Sequence, residues 1–128
     1  TPDDFLDLFV AWARPPFPGI RDLLDTLAAR YPMACLSNLN PLHWQKVSSE
    51  YGLGWFFPRR YLSYEMGLVK PNPEIYQAVI DDLDVAPETI LFLDDTPENV
   101  EAARAIGINA HLAHGTNLRQ RCTELELL

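Results

Sequence analysis

Three short stretches of this 128-residue chain carry residue types that suit a single chemistry: Ser37-Asn38, Lys70 and Asp94-Asp95. The two aspartates follow directly on the apolar run 90–93. Adjacent carboxylates on a tight turn are hard oxygen donors suited to Mg2+, which keeps several waters and takes one or two protein carboxylates. Lys70, one of two lysines with Lys46, supplies a point charge for a phosphate. The Ser37 hydroxyl and backbone N–H groups of the turn after it can hold phosphate oxygens. Together they describe a site for Mg2+ and a phosphoryl group. Each also has a plainer reading. Ser37-Asn38 can be a turn and helix cap, Asp94-Asp95 can cap the helix begun at Thr96-Pro97, and Lys70 can be solvated. The joint occurrence is what favours the site.

A scaffold must bring residues 37, 70 and 94 together. The apolar run 33–36 stops at Ser37-Asn38 and reads as a buried strand. Residues 60–63 read as a weaker strand, 90–93 as the clearest one, and 108–113 as the last. Helices alternate with them. One spans about 20–30, with Ile20, Leu23, Leu24, Leu27 and Ala28 on one face. The next spans about 42–50. Pro73 opens another to about residue 82, with Ile75, Tyr76, Val79, Ile80 and Leu83 on one face. Pro97 opens a helix carrying Val100 and Ala103 and closed by Gly107, and a last helix starts near Asn117. The alternation predicts an α/β fold with a parallel sheet and right-handed crossovers. Functional groups in such a sheet gather at the carboxyl ends of the strands, where residues 37 and 94 fall. Ahead of this region Thr1-Pro2-Asp3-Asp4 reads as a helix start. Phe5, Leu8, Phe9 and Trp12 recur at helical spacing to about Ala13, and the stiff segment 15–19 follows as a hinge.

Composition bounds the partners. Hydrophobic residues make up 48% and charged residues 22%, the balance of a globular domain, and the net charge is −8. An acidic surface excludes nucleic acid as the expected partner, and no run approaches the ~18 apolar residues of a membrane span. Two cysteines, Cys35 and Cys122, build no disulfide framework, so a cytoplasmic setting is expected.

The segments Leu36-Ser37-Asn38, Gly67-Leu68-Val69-Lys70-Pro71-Asn72-Pro73-Glu74-Ile75-Tyr76 and Phe92-Leu93-Asp94-Asp95-Thr96-Pro97-Glu98-Asn99-Val100-Glu101-Ala102-Ala103 resemble motifs two, three and four of the haloacid-dehalogenase (HAD) superfamily. The likeness covers residues 18–113 and points to the small-cap phosphatases, near the sugar-phosphate phosphatases and the N-terminal domain of epoxide hydrolases. It implies a Rossmann-like three-layer parallel sheet. It also implies that Ser37 and Lys70 act in catalysis, that Ser37, Asn38 and Lys70 bind phosphate, that Asp94 and Asp95 hold Mg2+ directly or through water, and that Asn99 orients the acidic loop. Residues 1–14 resemble the end of a helical cap, 15–19 the return from it, and 20–128 an incomplete core domain.

The family's first motif, an apolar strand ending in Asp-x-Asp, is not found. Asp82-Leu83-Asp84 is the chain's one Asp-x-Asp, and it ends a predicted helix. Catalysis through an aspartyl-phosphate requires that nucleophile. The sheet is therefore expected to lack its central first strand. The chain is expected to be the C-terminal part of a longer phosphohydrolase acting on a small phosphorylated metabolite, partnered by a missing upstream segment. Two alternatives stand beside it: a dehalogenase-type hydrolase, which the intact Asp94-Asp95 disfavours, and a non-catalytic interaction module on the same scaffold. His43 reads as a helix histidine, His111 and His114 as a strand end and loop, and Arg59-Arg60 as a solvated pair.

Overall fold

The computed structural model describes residues 7–10, 20–50, 59–113 and 117–126. Its five strands are β1 (Asp7–Val10), β2 (Met33–Ser37), β3 (Arg59–Leu62), β4 (Ile90–Asp94) and β5 (Asn109–Leu112). They form one sheet in the order β3-β2-β1-β4-β5, and every pairing is parallel. All five residues of β2 and of β4 are buried, as expected of parallel strands covered on both faces.

Side-chain alternation along these strands feeds two separate cores. Met33, Cys35, Leu91 and Leu93 pack with Leu23, Leu24 and Leu27 of α1 (Ile20–Ala28) and with Leu118 and Cys122 of α6 (Leu118–Glu124). Ala34, Leu36, Ile90 and Phe92 pack on the opposite face with Ile75, Tyr76, Val79 and Ile80 of α4 (Pro73–Leu83) and with Val100 and Ala103 of α5 (Pro97–Ala105). This is the parallel α/β fold expected from the alternating pattern, in the three layers that the resemblance implies.

Local chemistry sets the element ends. Asn40 caps α2 (Pro41–Gln45) by accepting from the His43 N–H, and a π-helical turn (Lys46–Glu50) continues the segment expected as one helix. α3 (Ser63–Met66) stops at Gly67, whose φ of 70° lies in the left-handed region. Asn72 caps α4, which closes on Asp84 at φ 54°. Asp82-Leu83-Asp84 is thus a helix end, and the Asp82 carboxylate accepts from Tyr61 Oη at 2.6 Å.

The amino-terminal region differs from expectation. Residues 7–10 form a strand, not part of a cap helix, and that strand takes the central position expected to be vacant. Leu8 and Phe9 pair with Met33 and Ala34 on one side, and Asp7 to Val10 pair with Ile90 to Leu93 on the other. The physical reason is the ladder. With no strand between them, β2 and β4 would each leave buried N–H and C=O groups unpaired, at about 1–3 kcal/mol apiece. A short apolar run fits strand and helix alike, and pairing outweighs its helical spacing. The Asp-x-Asp strand is still not supplied, because Asp7 begins β1 and the residues after Val10 are Ala11 and Trp12. The hinge segment 15–19 lies outside the described residues.

Candidate active site

Ser37 and Asp94 are the last residues of β2 and β4, the two strands that flank β1. Lys70 lies in the turn between α3 and α4. The strand order therefore sets all three at the carboxyl rim of the sheet, where this topology opens a crevice.

Asp94 is 2% exposed and Lys70 8%. A carboxylate that deep needs a counter-charge and hydrogen bonds. Lys70 Nζ donates to Asp94 Oδ2 at 2.8 Å, and Asn99 Nδ2 donates to the same oxygen at 3.1 Å. The Thr96 backbone N–H donates to Asp94 Oδ1 at 2.9 Å. Asn99 is itself buried in the first part of α5, and its backbone carbonyl accepts from Tyr76 Oη at 3.1 Å. Burial, with the Asp94 charge second, pushes the Tyr76 phenol well above its ordinary range, so it stays a donor. Lys70 Nζ also stands 5.8 Å from the centre of the Phe92 ring. Asp95 is half-buried beside this cluster, and Thr96 Oγ1 donates to it at 3.3 Å.

Ser37 is buried, with its hydroxyl 3.2 Å from Cys35 Sγ. Burial pushes the Cys35 thiol up, which keeps it a neutral neighbour. Asn38 turns its side chain to Lys70: Oδ1 accepts from the Lys70 N–H at 2.9 Å and Nδ2 donates to the Lys70 carbonyl at 3.0 Å. Ser63 Oγ makes a second tie one residue on, accepting from the Leu39 N–H at 3.0 Å and donating to the Leu39 carbonyl at 3.1 Å. The loop after β2, the start of α3 and the turn holding Lys70 are thus joined by side chains.

Direct hydrogen bonds connect Asn38, Lys70, Asp94 and Asn99, while Ser37 and Asp95 adjoin them in the chain. Tyr76, Thr96 and Ser63 were not anticipated here. Tyr76 carried a signal, since a buried tyrosine needs a partner for its hydroxyl; a backbone N–H and a serine at a helix start carried none. Other polar residues lie apart. His111 Nε2 is 2.9 Å from Asn109 Oδ1 on β5, and His114 is outside the described residues. Arg60 is not simply solvated, for its guanidinium lies 5.2 Å over the Trp44 ring.

The donor chemistry suits a hard cation. Asp94 and Asp95 offer carboxylate oxygens only, without sulfur or imidazole, and a Mg2+ ion that keeps its waters needs no more than two such groups. Among the described residues no group of three or more His, Cys, Asp or Glu side chains gathers at one point. Among them, too, no helix is long and apolar enough to cross a membrane.

The D-ribitol-5-phosphate phosphatase of Bacteroides thetaiotaomicron is 34% identical over 109 residues, covering 80% of this chain and 53% of that protein. A solved HAD family enzyme from the same organism, in complex with magnesium and inorganic phosphate, is 34% identical at a TM-score of 0.70, covering 79% of this chain and 55% of that one. An uncharacterised protein from Corynebacterium glutamicum shares the fold at a TM-score of 0.77 and 23% identity, over 96% of this chain and 94% of its own. The chain thus spans about half the length of the first two. The family model for haloacid dehalogenase-like hydrolases matches residues 4–107, which takes in β1 to β4, the Lys70 turn and the acidic loop, and the chain belongs to that family.

Proposed function

We propose that this chain forms the carboxyl-terminal part of a Mg2+-dependent phosphohydrolase that releases phosphate from a small phosphorylated metabolite. One observation carries the reading: a buried lysine is bonded to the first of two adjacent aspartates at the carboxyl rim, while the second stays half-buried beside them. The relative named for D-ribitol 5-phosphate and the solved enzyme holding magnesium and phosphate support the substrate class and the metal. Two buried free cysteines suit a reducing, cytoplasmic setting.

The roles follow from the geometry. Asp94 and Asp95 would hold the Mg2+ ion, which when bound supplies a Lewis acid for the phosphoryl oxygens. Asp94 Oδ1 accepts a single backbone N–H, so it retains acceptor capacity. Lys70 has three N–H donors, one of them aimed at Asp94, and the others can meet phosphate oxygens. The Ser37 hydroxyl would donate to the same group, and Asn99 keeps the Asp94 carboxylate from rotating away. The nucleophile is an aspartate contributed from outside this sequence. Its oxygen bonds to phosphorus as the bond from phosphorus to the substrate oxygen breaks, and that oxygen takes from water the proton that the second step gives back. Water then attacks the phosphorus, releasing inorganic phosphate and restoring the carboxylate.

The test is hydrolysis of p-nitrophenyl phosphate by the full-length protein, with and without Mg2+. Activity that needs the metal and falls about 100-fold or more in Asp95→Asn is expected. No activity would return the non-catalytic scaffold as the better account, and activity indifferent to that substitution would remove the acidic pair from the reaction.

A further inference from the structure

We infer that the side chain of Asn38 positions Lys70 and is not itself a ligand of the phosphate. This deepens the proposed reading of the site and rests on it for the role of Lys70, though not for the contact itself. Both polar atoms of the Asn38 carboxamide are engaged by the backbone of one residue: Oδ1 by the Lys70 N–H at 2.9 Å and Nδ2 by the Lys70 carbonyl at 3.0 Å. Only one orientation of the amide satisfies both bonds, so its assignment is fixed by its partners. The pair reproduces with a side chain what a neighbouring strand does with its backbone, and it sets where the Lys70 Cα sits relative to β2.

The anchor is rigid on both sides. Ser37, before Asn38, is locked in the ladder opposite Leu62. Leu39, after it, is held at its N–H and its carbonyl by the Ser63 hydroxyl. Lys70 gains from such a fixed origin. Its side chain has four rotatable bonds, and delivering the ammonium to the Asp94 carboxylate costs rotamer entropy. Holding the backbone in place removes part of the search. Pro71 follows Lys70 and has no N–H of its own, so the turn gains no backbone donor from that residue.

The chain has two lysines, and the exposed Lys46 serves as an internal standard. The folded chain is treated with a low dose of acetic anhydride, and the ratio of Lys70 to Lys46 acetylation is read by mass spectrometry. Asn38→Ala and the nearly isosteric Asn38→Asp are compared with Ser63→Ala, which cuts the neighbouring tie and leaves the Asn38–Lys70 bonds in place. Expected is a rise in the ratio of about 25-fold in Asn38→Ala, which loses two hydrogen bonds at about fivefold each, with about fivefold in Asn38→Asp and a smaller rise than either in Ser63→Ala. Asn38→Asp keeps the acceptor for the Lys70 N–H and so preserves part of the grip; it also stands in if Asn38→Ala does not fold. A ratio in both Asn38 variants within about twofold of the unsubstituted chain, or an equal rise in Ser63→Ala, overturns the inference. Titration of the unsubstituted chain with inorganic phosphate in the presence of Mg2+ reports on the site reading separately. Phosphate affinity lost in Asn38→Ala at an unchanged acetylation ratio would make Asn38 a direct ligand and overturn the positioning role.

Discussion

Lys70 Nζ stands 2.8 Å from Asp94 Oδ2, with the two side chains 6% and 1% exposed. A pair this deep contributes little net stability when intact, because desolvation offsets the attraction, but breaking it leaves one charge stranded. Lys70→Met is therefore expected to destabilise the chain by about 3–5 kcal/mol in urea denaturation. Lys70→Met combined with Asp94→Leu should cost less than Lys70→Met alone, because no charge is left buried. A loss below about 1 kcal/mol for the single substitution would place the pair among exposed ion pairs and contradict its burial.

Tyr76 stands behind the pair. Its hydroxyl donates to the Asn99 carbonyl at 3.1 Å, and its ring meets Phe92 edge-on at 5.9 Å between centroids. Tyr76→Phe keeps the ring contact and removes the donor. A buried carbonyl then loses its partner, at about 1–3 kcal/mol. Equal denaturation midpoints for the two proteins would mean that water replaces the hydroxyl.

The layers, the strand ends and the acidic loop were legible from residue order, because buried parallel strands and capped helices leave local signatures at 33–36, 73–82 and 90–93. The grip of Asn38 on Lys70 was not, since it joins residues 32 apart in the chain and depends on where two loops meet. The strand at Asp7–Val10 was missed for a different reason. Its apolar residues satisfy helical spacing as well, and what decides between the two is the unpaired backbone of β2 and β4, a property of distant segments.

Tyr61 supplies a pH test. Burial, and after it the bond to Asp82, raises its phenol from 10.0 to about 12. The unfolded chain thus gives up this proton before the folded one does. The resulting stability is present in full below pH 10 and drains away as pH rises toward 12. Tyr61→Phe is expected to flatten the alkaline fall in the urea midpoint across that window. A fall equally steep in both proteins would assign it to other groups.

At the outer edge of the sheet, β5 pairs with β4 alone. The Ala113 N–H bonds to the Asp94 carbonyl, so residues in step with Ala113 along the strand face β4, and Ala110 and Leu112 point their carbonyls outward. Arg104 Nε of α5 donates to the Ala110 carbonyl at 2.8 Å, and Arg121 Nε of α6 donates to the Leu112 carbonyl at 3.1 Å. Each guanidinium is steadied by a glutamate three residues away, Glu101 and Glu124. The two arginines come from opposite faces of the sheet and occupy two carbonyls that another strand would use. Arg104→Ala with Arg121→Ala should therefore promote concentration-dependent association through β5, read as a rise in sedimentation coefficient. The circular dichroism of the dilute protein should stay unchanged. A double variant that sediments like the unsubstituted chain at every concentration would show that the edge is protected by something else, with the acidic net charge of −8 the first candidate.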